Sequence, residues 1–215
     1  SLGALGTLFN AYREPLLAYL HCLGVHAQDA EDVLQGFSQR LLARDFLDHV
    51  APCKGKFRCF LRAALRNYLN DERDKKAAAI RGGGKQIVSL DEVDDKGRPL
   101  HAPAHPEATP DLAYDHVWAR QVVKKGLHRL AAECAQKGHI ALWLALEPSL
   151  FKDETAASYA DVGRQLGLSP GAVKQHMARL RTRLNRLFRD VVMETVGSRE
   201  ELEDELRYLL DVWNR

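Results

Sequence analysis

Apolar residues recur every three or four positions over most of this 215-residue chain. One such stripe, close to the C-terminal end, consists of Val173, Met177, Leu180, Leu184, Leu187 and Val191. This spacing puts apolar side chains on one face of an α-helix, whereas the alternation typical of a half-buried strand persists nowhere. The sequence therefore predicts an all-α fold.

The helical pattern is interrupted between residues 82 and 110. The run GGGKQ and four prolines, at positions 99, 103, 106 and 110, are incompatible with a continuous helix. We therefore predict two small helical domains, at residues 1–81 and 111–196, joined by a linker at 82–110. An acidic amphipathic helix is predicted at 197–215. Its polar face carries Glu201, Asp204 and Glu205, and packing on the second domain is favoured over a regulatory role.

Charge is distributed unevenly along the chain, although the formal net charge is only +2. Ten Lys and Arg residues lie between positions 54 and 85, against three acids, and six lie between 174 and 189, against none. Two separate basic segments indicate localised contacts with a polyanion. The chain lacks an apolar run of the ~20 residues that a membrane span needs and a signal-peptide pattern, so we expect a cytoplasmic protein without membrane insertion.

Catalytic and metal-binding patterns are weak. No Walker A, GxSxG or HExxH motif occurs, so we expect neither an enzyme nor a bound cofactor. His21, Cys22, His26 and Cys59 could form a scattered zinc site, and a zinc-dependent enzyme is one alternative. Free cysteines, however, are more often small buried apolar residues, so we predict no metal site.

The predicted third helix carries an arginine ridge, which we define as Arg58, Arg62 and Arg66. Residues spaced by four stack along one side of a helix. The simplest interpretation of such a ridge is a solvent-exposed surface without a binding role. Further basic residues on both sides, at positions 54, 56, 73, 75 and 76, favour a contact with phosphates instead.

The segment from Ser158 to Leu184 predicts a helix-turn-helix. Gly167 can adopt the left-handed conformation that ends a helix, Ser169 can cap the next one, and Pro170 suits its first position. Around the apolar stripe of the second helix lie Lys174, Gln175, Arg179, Arg181, Thr182, Arg183 and Arg186. These side chains suit a recognition helix, although a bundle helix with a solvated basic face would show the same spacing.

Three segments resemble blocks of the extracytoplasmic-function group of bacterial sigma factors, the promoter-recognition subunits of RNA polymerase. SYADVGRQLGLSPGAVKQHMARLRTRL is similar to their helix-turn-helix, which reads the minus-thirty-five element. DAEDVLQGFSQRLL (29–42) resembles the helix that docks on the polymerase clamp. GKFRCFLRAALRNYLNDERD (55–74) resembles the helix that captures the melted minus-ten strand.

The resemblance implies three sets of site residues. Polymerase docking would involve Asp29, Glu31, Asp32 and Gln35. Minus-ten DNA would contact Arg66, Asn67, Asn70 and Arg73, to which we add Arg58 and Arg62 of the arginine ridge. Minus-thirty-five DNA would contact Pro170, Gly171, Lys174, Gln175 and Arg179, with Arg183 beside them. Gly36, where the family often has an acid, departs from the pattern and costs a helix up to ~1 kcal/mol relative to Ala.

Core RNA polymerase and promoter DNA are therefore the expected partners, together with an anti-sigma factor or another regulatory protein. The alternative is an ordinary helix-turn-helix regulator that acts as a dimer without polymerase docking. Such a regulator would bind duplex DNA at a two-fold-symmetric site.

Overall fold

The computed structural model describes residues 2–43, 57–81, 109–151 and 158–214. Within these ranges the chain forms helices and no strand, which confirms the predicted all-α class there. The helices are α1 (Leu2–Cys22), α2 (Ala27–Leu42), α3 (Phe57–Arg81), α4 (Pro110–Gln136), α5 (Ile140–Leu146), α6 (Tyr159–Leu166), α7 (Pro170–Met193) and α8 (Arg199–Trp213), with a 3-10 helix at Glu147–Ser149. No described helix has both the length and the apolar character that crossing a membrane requires.

The helices group into two compact units, whose limits differ from the predicted domain limits. Of the described residues, those up to Ala119 and from Thr195 onwards form the first unit, and those from Arg120 to Glu194 form the second. Residues 111–119 and the acidic helix α8 therefore belong with the N-terminal helices, because their acids pair with arginines of α3. Most of the predicted linker, at 82–108, lies outside the described residues.

The core of the first unit is rich in aromatic residues. The rings of Tyr12 and Trp118 stack with their centroids 4.4 Å apart, and Tyr114 lies parallel to Tyr12 at 6.4 Å. Burial raises the pKa of the Tyr12 hydroxyl above its ordinary value. Helices α1, α2 and α3 face this core through Phe9, Leu16, Leu20, Leu34, Phe37, Leu41, Leu61, Ala64 and Leu65, all of which are buried.

Helix α2 begins earlier than a capping pattern suggests. Asp29 resembles an N-cap in sequence, but the residue at that position is His26, and its side chain makes no capping hydrogen bond. Gly24, with φ of 81°, lies just after the end of α1 and lets the chain enter α2 after only two more residues. Asp29 consequently lies in the first turn of α2, where the helix dipole favours a carboxylate.

The second unit has a core of its own, formed by Leu130, Cys134, Trp143, Leu146, Leu150, Val162, Val173, Met177, Leu184 and Leu187. Two contacts bring α4 against α7. A Cβ on Gly126 would meet the ring of Phe188, so the helices approach closely at that glycine. Leu184, one turn before Phe188 on α7, gives the second contact: its Cδ1 would lie 3.6 Å from the same Cβ, and Leu184 belongs to the apolar core.

Candidate functional site

Helices α6 and α7 are joined by a short turn, and a serine caps the N-terminus of each helix. The Ser158 hydroxyl accepts a hydrogen bond from the Asp161 N–H and caps α6, and the Ser169 hydroxyl accepts one from the Ala172 N–H and caps α7, both at 3.2 Å. Gly167, with φ of 68°, ends α6, and Pro170 is the first residue of α7. The Ser169 cap, the left-handed Gly167 and the position of Pro170 confirm the local predictions made from the sequence.

A close backbone approach at Gly163 fixes the turn. The Gly163 carbonyl accepts a hydrogen bond from the Leu168 N–H at 2.8 Å, and a Cβ at position 163 would lie 2.6 Å from the Leu168 carbonyl oxygen. Position 163 therefore requires glycine, a constraint that the sequence analysis missed. The available signal was a glycine within the helix, close to its end, where propensity alone favours alanine.

Helix α7 separates its apolar and polar side chains as the sequence predicts. Val173, Met177, Leu184, Leu187 and Val191 are buried. The predicted contact residues Pro170, Gly171, Lys174, Gln175 and Arg179 are all exposed. The first three turns of α7 thus present two cations and an amide to solvent, above an apolar seam that holds the helix on its domain.

Arg183 differs from the other predicted contact residues of α7. Its guanidinium donates to both carboxylate oxygens of Glu133 in α4, with nitrogen–oxygen distances of 2.8 and 2.5 Å. This bidentate hydrogen bonding raises the pKa of Arg183 and lowers that of Glu133. In this structure Arg183 therefore ties α7 to α4, and its cation is already paired.

A half-open groove of about 250 Å³ lies beside Arg179, between α4, α5 and α7. Its apolar lining includes Leu130, Leu142, Trp143 and Leu180, and its polar lining includes His139, His176, Arg179 and Lys137. The lining also includes Glu133, whose carboxylate is already paired with Arg183. The sequence analysis did not predict this groove, because its walls come from three helices.

The predicted minus-ten residues lie on α3 and grow more exposed towards its C-terminal half. The side chains of Arg58, Arg62 and Arg66 are 5%, 25% and 60% exposed. Asn67, Asn70 and Arg73 are exposed as well. Arg66 donates from Nε to the Tyr19 hydroxyl at 3.0 Å, which orients its guanidinium and raises its pKa. The exposed end of the arginine ridge and these three residues form the candidate surface on α3.

Arg58, by contrast, is not available to DNA in this structure. It forms ion pairs with Asp115 of α4 at 2.7 Å and with Glu205 of α8 at 2.6 Å, and all three side chains are buried. The prediction that Glu205 faces solvent is therefore wrong: 1% of the residue is exposed. The spacing of Leu202, Glu205, Leu209 and Val212 places Glu205 on the same side of α8 as three apolar residues, which indicates that Glu205 is buried. Trp213, at the C-terminal end of α8, is half exposed.

The predicted docking residues lie together on the outer side of α2. Asp29, Glu31, Asp32 and Gln35 are all exposed, and the buried residues Ala30, Leu34, Phe37 and Leu41 hold the opposite side on the core. Glu31 accepts a hydrogen bond from Arg13 of α1 at 2.5 Å, so it also links two helices. The remaining acids, Asp29 and Asp32, form an acidic surface open to a partner.

The zinc alternative finds no geometric support. Among the described residues, which include His21, Cys22, His26 and Cys59, no group of three or more His, Cys, Asp or Glu side chains is arranged to hold a metal ion. Burial raises the pKa of the Cys22 thiol, which disfavours the thiolate form that binds metals.

Comparisons of the chain with protein-family models, with curated proteins and with solved structures returned no match.

Proposed function

We propose that this chain is a sigma factor, which binds core RNA polymerase in the cytoplasm and directs it to promoters. The observation that carries the proposal is the exposed polar row on the first turns of α7. A helix that begins directly after a tight turn, with cations outward and an apolar seam beneath, matches the recognition helix of a helix-turn-helix.

Each residue of this row has a chemistry that suits the major groove. Lys174 and Arg179 supply donors for guanine edges or phosphates, and Gln175 can pair its amide with adenine. Pro170 and Gly171 lie at the helix N-terminus, where the helix dipole and free N–H groups favour a phosphate. We assign these five residues to the minus-thirty-five element.

The first unit supports the remaining two tasks of the proposal. The acidic surface of α2 offers Asp29 and Asp32, with Glu31 and Gln35 beside them, to a basic partner such as the clamp of polymerase. On α3, the side chains of Arg66, Asn67, Asn70 and Arg73 provide cations for the backbone of a single strand and amides for its bases. Pulling a base out of the duplex costs a few kcal/mol, and a chain without a Walker A motif must obtain this free energy from binding.

Transcription in vitro tests the proposal. Core polymerase is mixed with the purified chain and a library of promoter fragments, and the resulting transcripts are sequenced. We expect transcripts that start downstream of two shared sequence blocks, with core polymerase alone as the control that lacks them. An unchanged transcript population would contradict the proposal. Tight binding of duplex DNA without polymerase, at a two-fold-symmetric site, would indicate the dimeric regulator instead.

A further inference from the structure

The arginine ridge of α3 begins inside a closed cluster of charges. Arg58 Nη1 lies 2.7 Å from Asp115 Oδ1, and Arg58 Nε lies 2.6 Å from Glu205 Oε1. Tyr208 of α8 completes the cluster, since the Arg58 guanidinium lies 3.9 Å from the centroid of its ring and its hydroxyl donates to Asp115. Helix α8 therefore supplies both a carboxylate and a π face to one arginine of the ridge.

Ion pairing is not needed merely to hold α8 in place. Leu202, Leu209 and Val212 are buried on the same side of this helix and bind it through apolar contact. Taking charges out of water is unfavourable, and well-packed apolar residues of similar volume often replace a buried ion pair without loss of stability. A buried pair makes the contact depend on charge, so that an anion can compete for it.

Acids accompany the ridge beyond Arg58. Arg62 Nε lies 3.3 Å from Asp111 Oδ1, and Arg62 Nη1 lies 3.5 Å from Asp115 Oδ2. Arg66 Nη2 lies 3.7 Å from Asp111 Oδ1. Carboxylate and phosphate oxygens both match the planar fork of a guanidinium. A nucleic-acid strand that reaches the exposed end of the ridge thus meets arginines whose acceptors it can replace.

We propose that α8 is an internal competitor of single-stranded DNA: Glu205 holds the Arg58 guanidinium, and a phosphate of the strand takes its place when α8 leaves α3. The inference rests on the proposed function, because it requires α3 to face a single strand. It makes α8 an autoinhibitory element whose release extends the DNA-binding surface from Arg66 back to Arg58.

The first test compares two variants of the full chain that remove the same charge from α8. Glu205→Gln keeps the shape of the side chain but loses its ion pair with Arg58. Asp204→Asn is the matched control, because Asp204 is exposed and pairs with Arg207 one turn along α8. Binding of a fluorescent single-stranded oligonucleotide of mixed sequence is measured by anisotropy over a range of salt concentrations, and circular dichroism verifies the fold.

We expect Glu205→Gln to bind the oligonucleotide about tenfold more tightly than the wild type, the equivalent of one charge-assisted hydrogen bond. The slope of log K against log salt should steepen by about 0.7, the value for one further phosphate contact on a single strand. Asp204→Asn should leave the slope unchanged. Equal affinities and slopes for the two variants would overturn the proposal.

A second measurement uses the wild-type chain and holds even if Glu205→Gln does not fold. Hydrogen exchange of the amides in residues 199–213 is followed with and without saturating oligonucleotide. We expect faster exchange in α8 when the strand is bound, and protection that stays unchanged in the bound state would overturn the competition. If neither the wild type nor a folded Glu205→Gln variant binds the strand, the role proposed for α3 has failed and the inference fails with it.

Discussion

The Tyr68 hydroxyl of α3 lies against the backbone of Gly36 in α2, in the space that a Cβ would occupy. The Tyr68 ring is held there by Phe37, with ring centroids 5.8 Å apart, and by the Arg40 guanidinium, 5.8 Å from its centroid. Helix propensity alone counts Gly36 as a weakness of α2. The contact shows that glycine at this position permits the close packing of α2 and α3.

Replacing Gly36 by alanine should therefore destabilise the chain. We expect Gly36→Ala to lower the free energy of unfolding by about 1 kcal/mol, the low end of the range for overpacking because the end of the Tyr68 side chain can shift, as measured by urea denaturation. In a Tyr68→Phe background the hydroxyl is gone, and the same change should be neutral or stabilising by up to ~1 kcal/mol through helix propensity. The same loss in both backgrounds would show that the hydroxyl is not the obstacle.

Alanine at position 163 should disturb the turn between α6 and α7. Its Cβ would press on the Leu168 carbonyl, and backbone yields less readily than a side-chain end. We expect Gly163→Ala to lower the free energy of unfolding by about 1–3 kcal/mol and to weaken binding of promoter duplex. Gly171→Ala is the control for stability, since its Cβ would meet Ser169 Oγ at 4.0 Å, and it should be neutral or slightly stabilising. Equal losses for the two variants would contradict the steric argument.

Removing the exposed cations of α7 should impair promoter binding and leave the fold intact. Lys174→Ala and Arg179→Ala should each weaken binding of duplex promoter DNA in the polymerase complex by about 1–3 kcal/mol. The Tm should not change, because both side chains are exposed. Lys124→Ala, an exposed cation on α4, serves as the control. A variant of α7 that binds like Lys124→Ala would exclude that residue from the interface.

Charge reversal on α2 should separate polymerase docking from DNA binding. Asp29→Lys and Asp32→Lys should each weaken association with core polymerase about tenfold, because like charges then face the partner. Glu31 is left unchanged because its ion pair with Arg13 links α2 to α1. Asp211→Lys, an exposed acid of α8, makes the same change of charge elsewhere and should bind normally. Equal affinities for all three variants, measured by fluorescence titration, would reject the docking surface.

The ion pair of Glu133 and Arg183 should make stability depend on acidic pH. Hydrogen bonds from Arg183 lower the pKa of Glu133 despite partial desolvation. Because the folded pKa lies below the unfolded value of about 4.3, the stabilisation is complete above that pH and is lost as the pH falls through the folded pKa. The Tm of Glu133→Gln should therefore fall less than that of the wild type between about pH 5 and pH 3. In Arg183→Met, the pKa of Glu133 should rise towards its ordinary value in an NMR titration.

Elements with a local cause were predictable from the sequence. The turn before α7 follows from Gly167, Ser169 and Pro170, because a left-handed residue, a hydroxyl cap and a proline at the first position act within a few residues. The face that α7 exposes also follows from its own spacing. Arg183, by contrast, reads like the other cations of α7, and only its position opposite Glu133 gives it a different role.

The order of apolar and polar residues was enough to determine that the described parts of the chain are helical, where α6 ends and α7 begins, and which sides of α2 and α7 are buried. Helix periodicity and capping depend on residues that are neighbours in sequence, so they can be predicted without a structure. Only the tertiary structure decided that α8 packs with the N-terminal helices and that Arg58 is buried in ion pairs with Asp115 and Glu205. Whether a buried charge is tolerated depends on an oppositely charged partner that is distant in sequence, and the local sequence pattern does not predict which residue that partner is.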